Sequence, residues 1–220
     1  MLNLKKGDFF TLKKNTEENL TNFCLGVSWP TVKLSLPFFQ SLFNRKNVPE
    51  IDLELACSMF DKNEDRIDWI HLPKYNSWLI QNNLPLGKLI SKDEAFKYQE
   101  NSTPSLKNSD KKLININLEK INSEIDQIFF YLHINPKKIN TIDLSLIPSV
   151  TVQMYEGNIH QITETHFQFE IPKDEDSAKK GTLLLGRLLK VNHEWKFEAI
   201  GKNLQDKKLV MQKKWQEYFS

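Results

Sequence analysis

The sequence is poor in glycine and cysteine, the residues that build phosphate-binding loops and thiol-based sites. Among its 220 residues are seven glycines and two cysteines, Cys24 and Cys57. No G-x-G-x-x-G occurs, and Gly87-Lys88 and Gly201-Lys202 lack the upstream glycine and the following Ser or Thr of a phosphate-binding loop. Two cysteines are too few for a disulfide framework and suit a reducing cytoplasm. No Cys/His cluster has the spacing of a zinc site.

Long apolar runs and an excess of one charge are absent as well. No stretch approaches the roughly 18 uncharged apolar residues of a membrane span, and residues 1–8 lack the apolar core of a signal peptide. The 30 basic and 28 acidic residues give a net charge of +2, so there is no reason to expect nucleic acid as a partner. No motif identifies a small-molecule substrate. The length suits one large all-β domain or two small domains, and the chain is predicted to form one cytoplasmic domain over residues 1–220.

Alternation of apolar and polar residues, the pattern of half-buried strands, recurs along the chain. The alternating segments are 51–57, 114–118, 150–154, 167–171 and 195–199. The runs 128–132 and 183–185 are apolar on both faces and predict central strands that are covered on both sides. Turn residues at 156–158 and 191–194 predict two hairpins. The chain is therefore predicted to be mostly β, as a sandwich or a barrel.

Two segments depart from the strand pattern. Residues 88–112 are polar and predict a long surface loop, which is usually functional or mobile. Residues 204–219 predict a C-terminal helix, since Leu204, Met211, Trp215 and Tyr218 fall on one helical face. This face is expected to pack on the sandwich. The alternative is a helix that binds a partner or a membrane surface, favoured by its lysines Lys207, Lys208, Lys213 and Lys214.

Acidic residues supply one candidate site. Asp52 and Glu54 project from the same face of a predicted strand, about 7 Å apart. Together with Asp93, Glu100 and Asp110 of the polar loop, they could hold a hard cation such as Ca²⁺ through oxygen ligands. The alternative interpretation is a solvated strand face without a ligand.

A histidine-containing segment supplies the second candidate. Glu164 and His166 would share a strand face close to His160, which suggests a metal site or an acid–base pair of a hydrolase. The alternative is the outer polar face of a strand. Cys24 and Cys57 lie among apolar neighbours, so buried cysteines are predicted rather than nucleophiles.

Several segments, in the correct order over about 200 residues, make the chain similar to the TerD family of tellurium-resistance and general-stress proteins. The resemblance covers "LxKG", "LGW", "DLD", "SxDGA" and "WKFxAIG" elements, carried here by residues 4–7, 25–29, 51–56, 91–95 and 194–201. Glu54 replaces the second Asp of "DLD". The segment 118–121, followed by 128–130, resembles the next strand pair.

The resemblance implies a two-sheet β-sandwich that binds calcium through its acidic loop and serves an intracellular stress response. The lack of catalytic motifs predicts a binding protein rather than an enzyme. It also implies partner proteins of the Ter type, some of them membrane-associated. The acidic loop departs from the family pattern, because Asp110 is followed by Lys111 and Lys112 where acidic ligands are usual. Since lysines remove ligands and repel a cation, calcium binding is predicted to be weakened or lost. A working calcium site and a hydrolase using His160, Glu164 and His166 are the alternatives.

Overall fold

The described residues contain twelve strands, seven of which hold the alternating and doubly apolar segments. The computed structural model describes residues 1–14, 16, 18–32, 51, 53–100, 110–134, 143–158 and 161–204. The strands are β1 (Leu2–Leu4), β2 (Phe9–Thr11), β3 (Asn22–Ser28), β4 (Leu53–Phe60), β5 (Arg66–Ile70), β6 (Phe96–Glu100), β7 (Lys112–Asn117), β8 (Gln127–Ile134), β9 (Ser149–Asn158), β10 (Gln161–Pro172), β11 (Thr182–Val191) and β12 (Glu194–Leu204). One α-helix, α1 (Asn76–Gln81), and short 3₁₀ helices at Pro73–Tyr75, Leu118–Lys120, Leu144–Leu146 and Glu175–Ser177 complete the described elements.

The strands divide into two six-stranded sheets. Sheet A has the order β1-β10-β9-β3-β7-β6, and sheet B has the order β2-β12-β11-β8-β4-β5. All pairings are antiparallel except that of β1 with β10, which is parallel. This arrangement confirms the prediction of a mostly-β, two-sheet sandwich.

Apolar side chains of both sheets form one continuous core. It includes Leu25 and Met154 of sheet A and Leu55, Phe130 and Phe197 of sheet B. Burial of these side chains supplies the main free energy of folding, at roughly 25 cal/mol for each Å² of apolar surface removed from water. The sheets are thereby held together face to face.

The doubly apolar runs are central strands, as predicted. β8 lies between β11 and β4, and β11 lies between β12 and β8. Alternate residues of β8 enter the main core, while Phe129 and Tyr131 belong to a second buried cluster with Leu184 and Ile200. Both faces of this part of sheet B are therefore covered, which explains why the sequence shows no alternation there.

The N-terminal segment belongs to both sheets. β1 pairs with β10 in sheet A, and β2 pairs with β12 in sheet B. Between them stands Gly7, whose φ of 90° is a conformation that favours glycine. The Gly7 amide donates to the carbonyl of Ala199 at 2.7 Å, which fixes the corner against β12.

Both predicted hairpins are present, because β9 pairs with β10 and β11 pairs with β12, but the predicted position of one turn is wrong. Asn192 and His193 connect β11 to β12 with φ values of 51° and 67°, as a two-residue hairpin requires. Residues 156–158 were expected to form a turn, but β9 continues through Asn158. The pairing of β9 with β10 contains two β-bulges, so simple alternation does not locate the end of this strand.

The predicted loop and C-terminal helix need correction. The segment 88–112 is not loop throughout, because it contains β6, which pairs with β7 at the edge of sheet A; residues 101–109 lie outside the described residues. Leu204, the expected first residue of the helix, is the last residue of β12. The rest of that helix, residues 205–219, lies outside the described residues. None of the described helices is long and apolar enough to cross a membrane.

Candidate functional site

Glu54, a predicted cation ligand, is a buried ion-paired residue. Its side chain is 1% exposed and forms ion pairs with Lys74 and with Lys112. The Tyr75 hydroxyl donates to Glu54 Oε1 at 3.0 Å. The strand face was expected to be solvated if it held no ligand. Burial overturns that alternative at Glu54, and a buried carboxylate needs such partners because its desolvation is costly.

Lys112 connects the two sheets at this point. It begins β7 of sheet A, and its Nζ lies 3.3 Å from Glu54 Oε2 in β4 of sheet B. The same Nζ lies 3.4 Å from Glu100 Oε1 at the end of β6. The Lys112 side chain is 2% exposed, while that of Glu100 is 51% exposed. An ammonium group thus lies between two of the carboxylates that the sequence proposes as calcium ligands.

Asp93 holds a turn together. Its Oδ1 accepts hydrogen bonds from Ser91 Oγ at 2.5 Å and from the Ala95 amide at 3.0 Å. Its Oδ2 accepts from the Asn122 amide at 2.9 Å. Burial would raise the pKa of Asp93, but these hydrogen bonds outweigh it and hold the pKa below its ordinary value. Both oxygens of Asp93 are therefore occupied within the protein.

Asp110 lies over sheet A. An ideal Cβ on Gly26 would lie 1.9 Å from Asp110 Oδ2, so the carboxylate occupies the space that this glycine leaves. Burial raises the pKa of Asp110 to about 6, and a hydrogen bond with Tyr155 opposes part of that rise. Tyr155 belongs to a small buried cluster with Cys24 and Leu113. The glycine of the "LGW" element thus makes room for an acidic residue 84 positions later in the chain.

The described acidic candidates do not assemble as one ligand set. Among the described residues, no three of Glu54, Asp93, Glu100 and Asp110 place ligand atoms within 4.8 Å of one another; Asp52 lies outside the described residues. Glu54 and Glu100 do come together, but around the Lys112 ammonium. In this arrangement the residues do not fit a calcium ion, which needs six to eight oxygen ligands at 2.3–2.6 Å.

Two buried histidines lie beside Glu54. His71 and His133 stack with ring centroids 4.7 Å apart and an interplanar angle of 16°. The Tyr75 ring meets both of them edge-on. His133 lies directly opposite Glu54 in the pairing of β4 with β8. No local pattern singles out this pair, because residues 62 positions apart are brought together only by the fold.

The histidine-containing candidate assembles in part. Glu164 and His166 of β10 come together with Glu156 of β9, and one ligand atom from each lies within 4.8 Å of the others. His166 Nε2 lies 3.2 Å from Glu156 Oε1. His160 lies outside the described residues. Glu156 was not a predicted site residue, because the sequence places it in a turn that the structure replaces with strand.

Neither cysteine is suited to nucleophilic chemistry. Both are free and buried, as predicted. Burial, with a contribution from the charge of Asp110, raises the pKa of the Cys24 thiol to about 11. Burial also raises the pKa of Cys57. Since the thiolate is the reactive form, burial and the raised pKa values disfavour nucleophilic chemistry at both thiols.

A polar groove of about 440 Å³ runs over sheet A. Its lining comes from β3, β6, β7, β9 and β10 and includes Cys24, Lys97, Asn115, Glu156 and Thr163. Glu156 therefore faces both this groove and the cluster with Glu164 and His166.

Comparison with known proteins gives one family and a small number of relatives. The model of the TerD domain matches residues 1–212. The stress response protein SCP2 of Bacillus subtilis (strain 168) is 21% identical over 208 residues, which cover 94% of this chain and 95% of the relative.

Two solved structures share the fold. One is a homologue of the telluride resistance protein TerD from Streptomyces coelicolor A3(2), with a TM-score of 0.54. The other is SAV2460, a protein of unknown function, with a TM-score of 0.53. Each is 10% identical to this chain and covers 84% of it and 91% of the solved chain.

Proposed function

The chain belongs to the TerD domain family, and on that premise we propose that it is a non-enzymatic stress-response protein that binds other proteins and whose calcium site is weakened or lost. Membership of the TerD family and the stress-response name of the Bacillus subtilis relative support this cellular role, which we extend to tellurium resistance. Its expected partners are other Ter-type stress proteins, some of them membrane-associated. Two free, buried cysteines suit the cytoplasm, which is the proposed compartment.

The position of Lys112 carries the calcium part of this proposal. Its ammonium group neutralises Glu54 and Glu100 from within the chain. A calcium ion would have to displace a buried lysine, which leaves an ammonium without its partners and costs several kcal/mol. Lys74 also forms an ion pair with Glu54 and adds a second positive charge. The two lysine ammonium groups thus offset the negative charge of the acidic side chains, which a bound metal ion would otherwise do.

A thermal melt of chelator-treated full chain, with Ca²⁺ titrated from micromolar to millimolar, tests this point. A ligand that binds only the folded state stabilises it by about 2.7 kcal/mol at a hundredfold excess over Kd. We expect no shift in Tm at micromolar Ca²⁺. A clear shift there would contradict the proposal and favour a working calcium site that uses Asp52, Glu54, Asp93, Glu100 and Asp110.

A pair of lysine variants makes the test specific. Lys112→Asn removes the buried ammonium and adds an amide oxygen, so its Tm should rise with Ca²⁺ more than that of the wild type. Lys190→Asn is the matched control, because Lys190 also packs over a tryptophan ring, with Nζ 5.1 Å from the Trp195 centroid, and lies outside the acidic loop. Equal Ca²⁺ responses in the two variants would show that Lys112 does not block the site.

The partner-binding part needs a separate experiment. Tagged full chain, cross-linked in its native cell before purification, should recover one or a small number of stress proteins that the tag alone does not recover. Recovery of no protein partner would count against a scaffold role, whatever the calcium result.

Glu156, Glu164 and His166 give the hydrolase alternative its support, since Glu164 and His166 do come together. The purified protein is expected to show no turnover of activated ester or phosphate substrates above background. Turnover that His166→Gln and Glu164→Gln both abolish would establish an enzyme instead.

A further inference from the structure

Two β-bulges shape the place where β9 and β10 meet. Glu164 pairs with Glu156 directly, and the register shifts on either side of this region leave Thr163 and His166 as the extra residues of β10. Bulges redirect side chains and are common beside functional sites. Here they bring two carboxylates and one imidazole to one point, with ligand atoms within 4.8 Å of one another.

From this geometry we propose that Glu156, Glu164 and His166 bind a transition-metal ion of the zinc class. An imidazole nitrogen with carboxylate oxygens is a ligand set that Zn²⁺ accepts, with bonds of about 2.0–2.2 Å and ligand atoms about 3.4 Å apart in a tetrahedron. The His166 Nε2 and Glu156 Oε1 atoms already lie 3.2 Å apart. One ligand atom of Glu164 lies within 4.8 Å of both, so the three residues need little rearrangement to hold one ion.

His166 is the fixed member of the set. Its side chain is 4% exposed, and its ring lies beside Phe10, with centroids 6.2 Å apart. The imidazole is thus held by packing with Nε2 directed at Glu156. A ligand that is already oriented loses little conformational entropy when the metal binds.

Lys14 is the competing cation. Its Nζ lies 3.0 Å from Glu156 Oε2, and its side chain is 33% exposed. Two carboxylates, those of Glu156 and Glu164, meet at this point and attract a cation. Unlike the buried Lys112, Lys14 lies at the surface, so its side chain can move into solvent when a metal ion binds.

The site has a path to solvent and an open coordination position. Glu156 also lines the groove of about 440 Å³ on sheet A. Three protein ligands leave the fourth tetrahedral position to water or to an incoming group, as in zinc sites that are not purely structural. The proposal does not depend on the calcium argument, because it uses none of the same residues.

Calorimetric titration of the chelator-treated full chain with ZnCl₂ tests the site. We expect saturable binding of one Zn²⁺, with Ca²⁺ unable to compete at the same concentration because calcium prefers more oxygen ligands. Glu156→Gln, Glu164→Gln and His166→Gln should each weaken binding more than about tenfold. Glu170→Gln, an exposed change on the same strand, is the control and should leave the affinity unchanged.

Lys14→Ala provides a test in the opposite direction. It removes the competing cation and leaves all three ligands in place, so Zn²⁺ should bind more tightly. No binding by the wild type, or equal affinity in the wild type and the three ligand variants, would overturn the proposal. Far-ultraviolet circular dichroism of each variant separates loss of a ligand from loss of the fold.

Discussion

Replacement of Gly26 tests whether the Asp110 carboxylate fills the space beside this glycine. A Cβ there would lie 1.9 Å from Asp110 Oδ2 and 2.3 Å from Asp110 Cγ. Gly26→Ala should therefore destabilise the protein by about 1–3 kcal/mol, the usual cost of overpacking, as measured by urea unfolding.

The cause can be isolated with a second substitution. Because the obstructing atoms belong to one side chain, Asp110→Ala should recover most of the stability that Gly26→Ala loses. A double-mutant cycle measures that coupling. Purely additive effects would show that something other than Asp110 opposes a side chain at position 26.

Asp110 should also make stability depend on pH. Its folded-state pKa of about 6 lies above the ordinary carboxyl value of 3.8. The folded state then binds this proton more tightly than the unfolded state, so Asp110 lowers stability as pH rises from about 4 to about 6. The penalty at pH 7 is on the order of 3 kcal/mol.

Unfolding of Asp110→Asn across this range tests the sign. The variant cannot lose the proton, so its stability relative to the wild type should increase between pH 4 and pH 7. The exposed Glu170→Gln serves as the control. A constant difference between Asp110→Asn and the wild type would show that Asp110 does not titrate with a raised pKa.

At the scale of the element, the turn before β6 has a residue in an unfavourable conformation. Glu94 has a φ of 57°, and it stands where the "SxDGA" pattern has glycine. The left-handed conformation costs an ordinary residue about 1–2 kcal/mol. Glu94→Gly should stabilise the protein by about 0.5–1 kcal/mol, after allowing for the greater freedom of glycine when unfolded.

Thermal unfolding of Glu94→Gly and Glu94→Ala separates conformation from charge. Both remove the ion pairs with Lys97 and Lys120, which are solvent-exposed and worth little. The alanine variant keeps a Cβ, so it should not gain the stability expected of Glu94→Gly. Equal stabilisation by the two variants would indicate that the carboxylate, rather than the backbone, is the source of strain.

The elements that the sequence predicts well are those with a regular pattern. Strict alternation at 114–118 and 195–199 corresponds to β7 and β12, and doubly apolar runs correspond to central strands. The end of β9 was predicted wrongly because Thr163 and His166 interrupt the alternation as bulges, which depend on the partner strand. Helix α1 was missed because six residues are too few to show a helical period.

The site residues are harder to predict, because their contacts also depend on the partner strand. Glu54 was expected to face a cation or solvent, whereas the structure pairs it with Lys112 of the other sheet. Glu156 was overlooked because the cluster with Glu164 and His166 depends on strand register. In each case the missing information is which residues the two sheets bring together, and local sequence does not contain it.

At the scale of the whole molecule, the buried pair of Lys112 and Glu54 joins sheet A to sheet B. Lys112→Met should destabilise the sandwich by about 3 kcal/mol, because it leaves Glu54 buried with fewer partners. The double variant with Glu54→Gln should be less destabilised than Lys112→Met alone. Unfolding in guanidinium measures the stability of both variants. A cost below about 1 kcal/mol for Lys112→Met would mean that Lys74 and Tyr75 alone compensate the buried charge of Glu54.

The pairing of the first two strands has a consequence for the order in which the chain folds. Leu2 pairs with Phe167, and Phe10 pairs with Phe197, so each early strand precedes its partner by more than 160 residues. At a synthesis rate of about 5–20 residues per second, these strands wait on the order of ten seconds or more for their partners to emerge from the ribosome. Their apolar residues and unpaired backbone groups are exposed during that time. These early strands therefore stay unpaired while most of the sandwich is made, and a newly made chain depends on remaining unaggregated until β10 and β12 are complete.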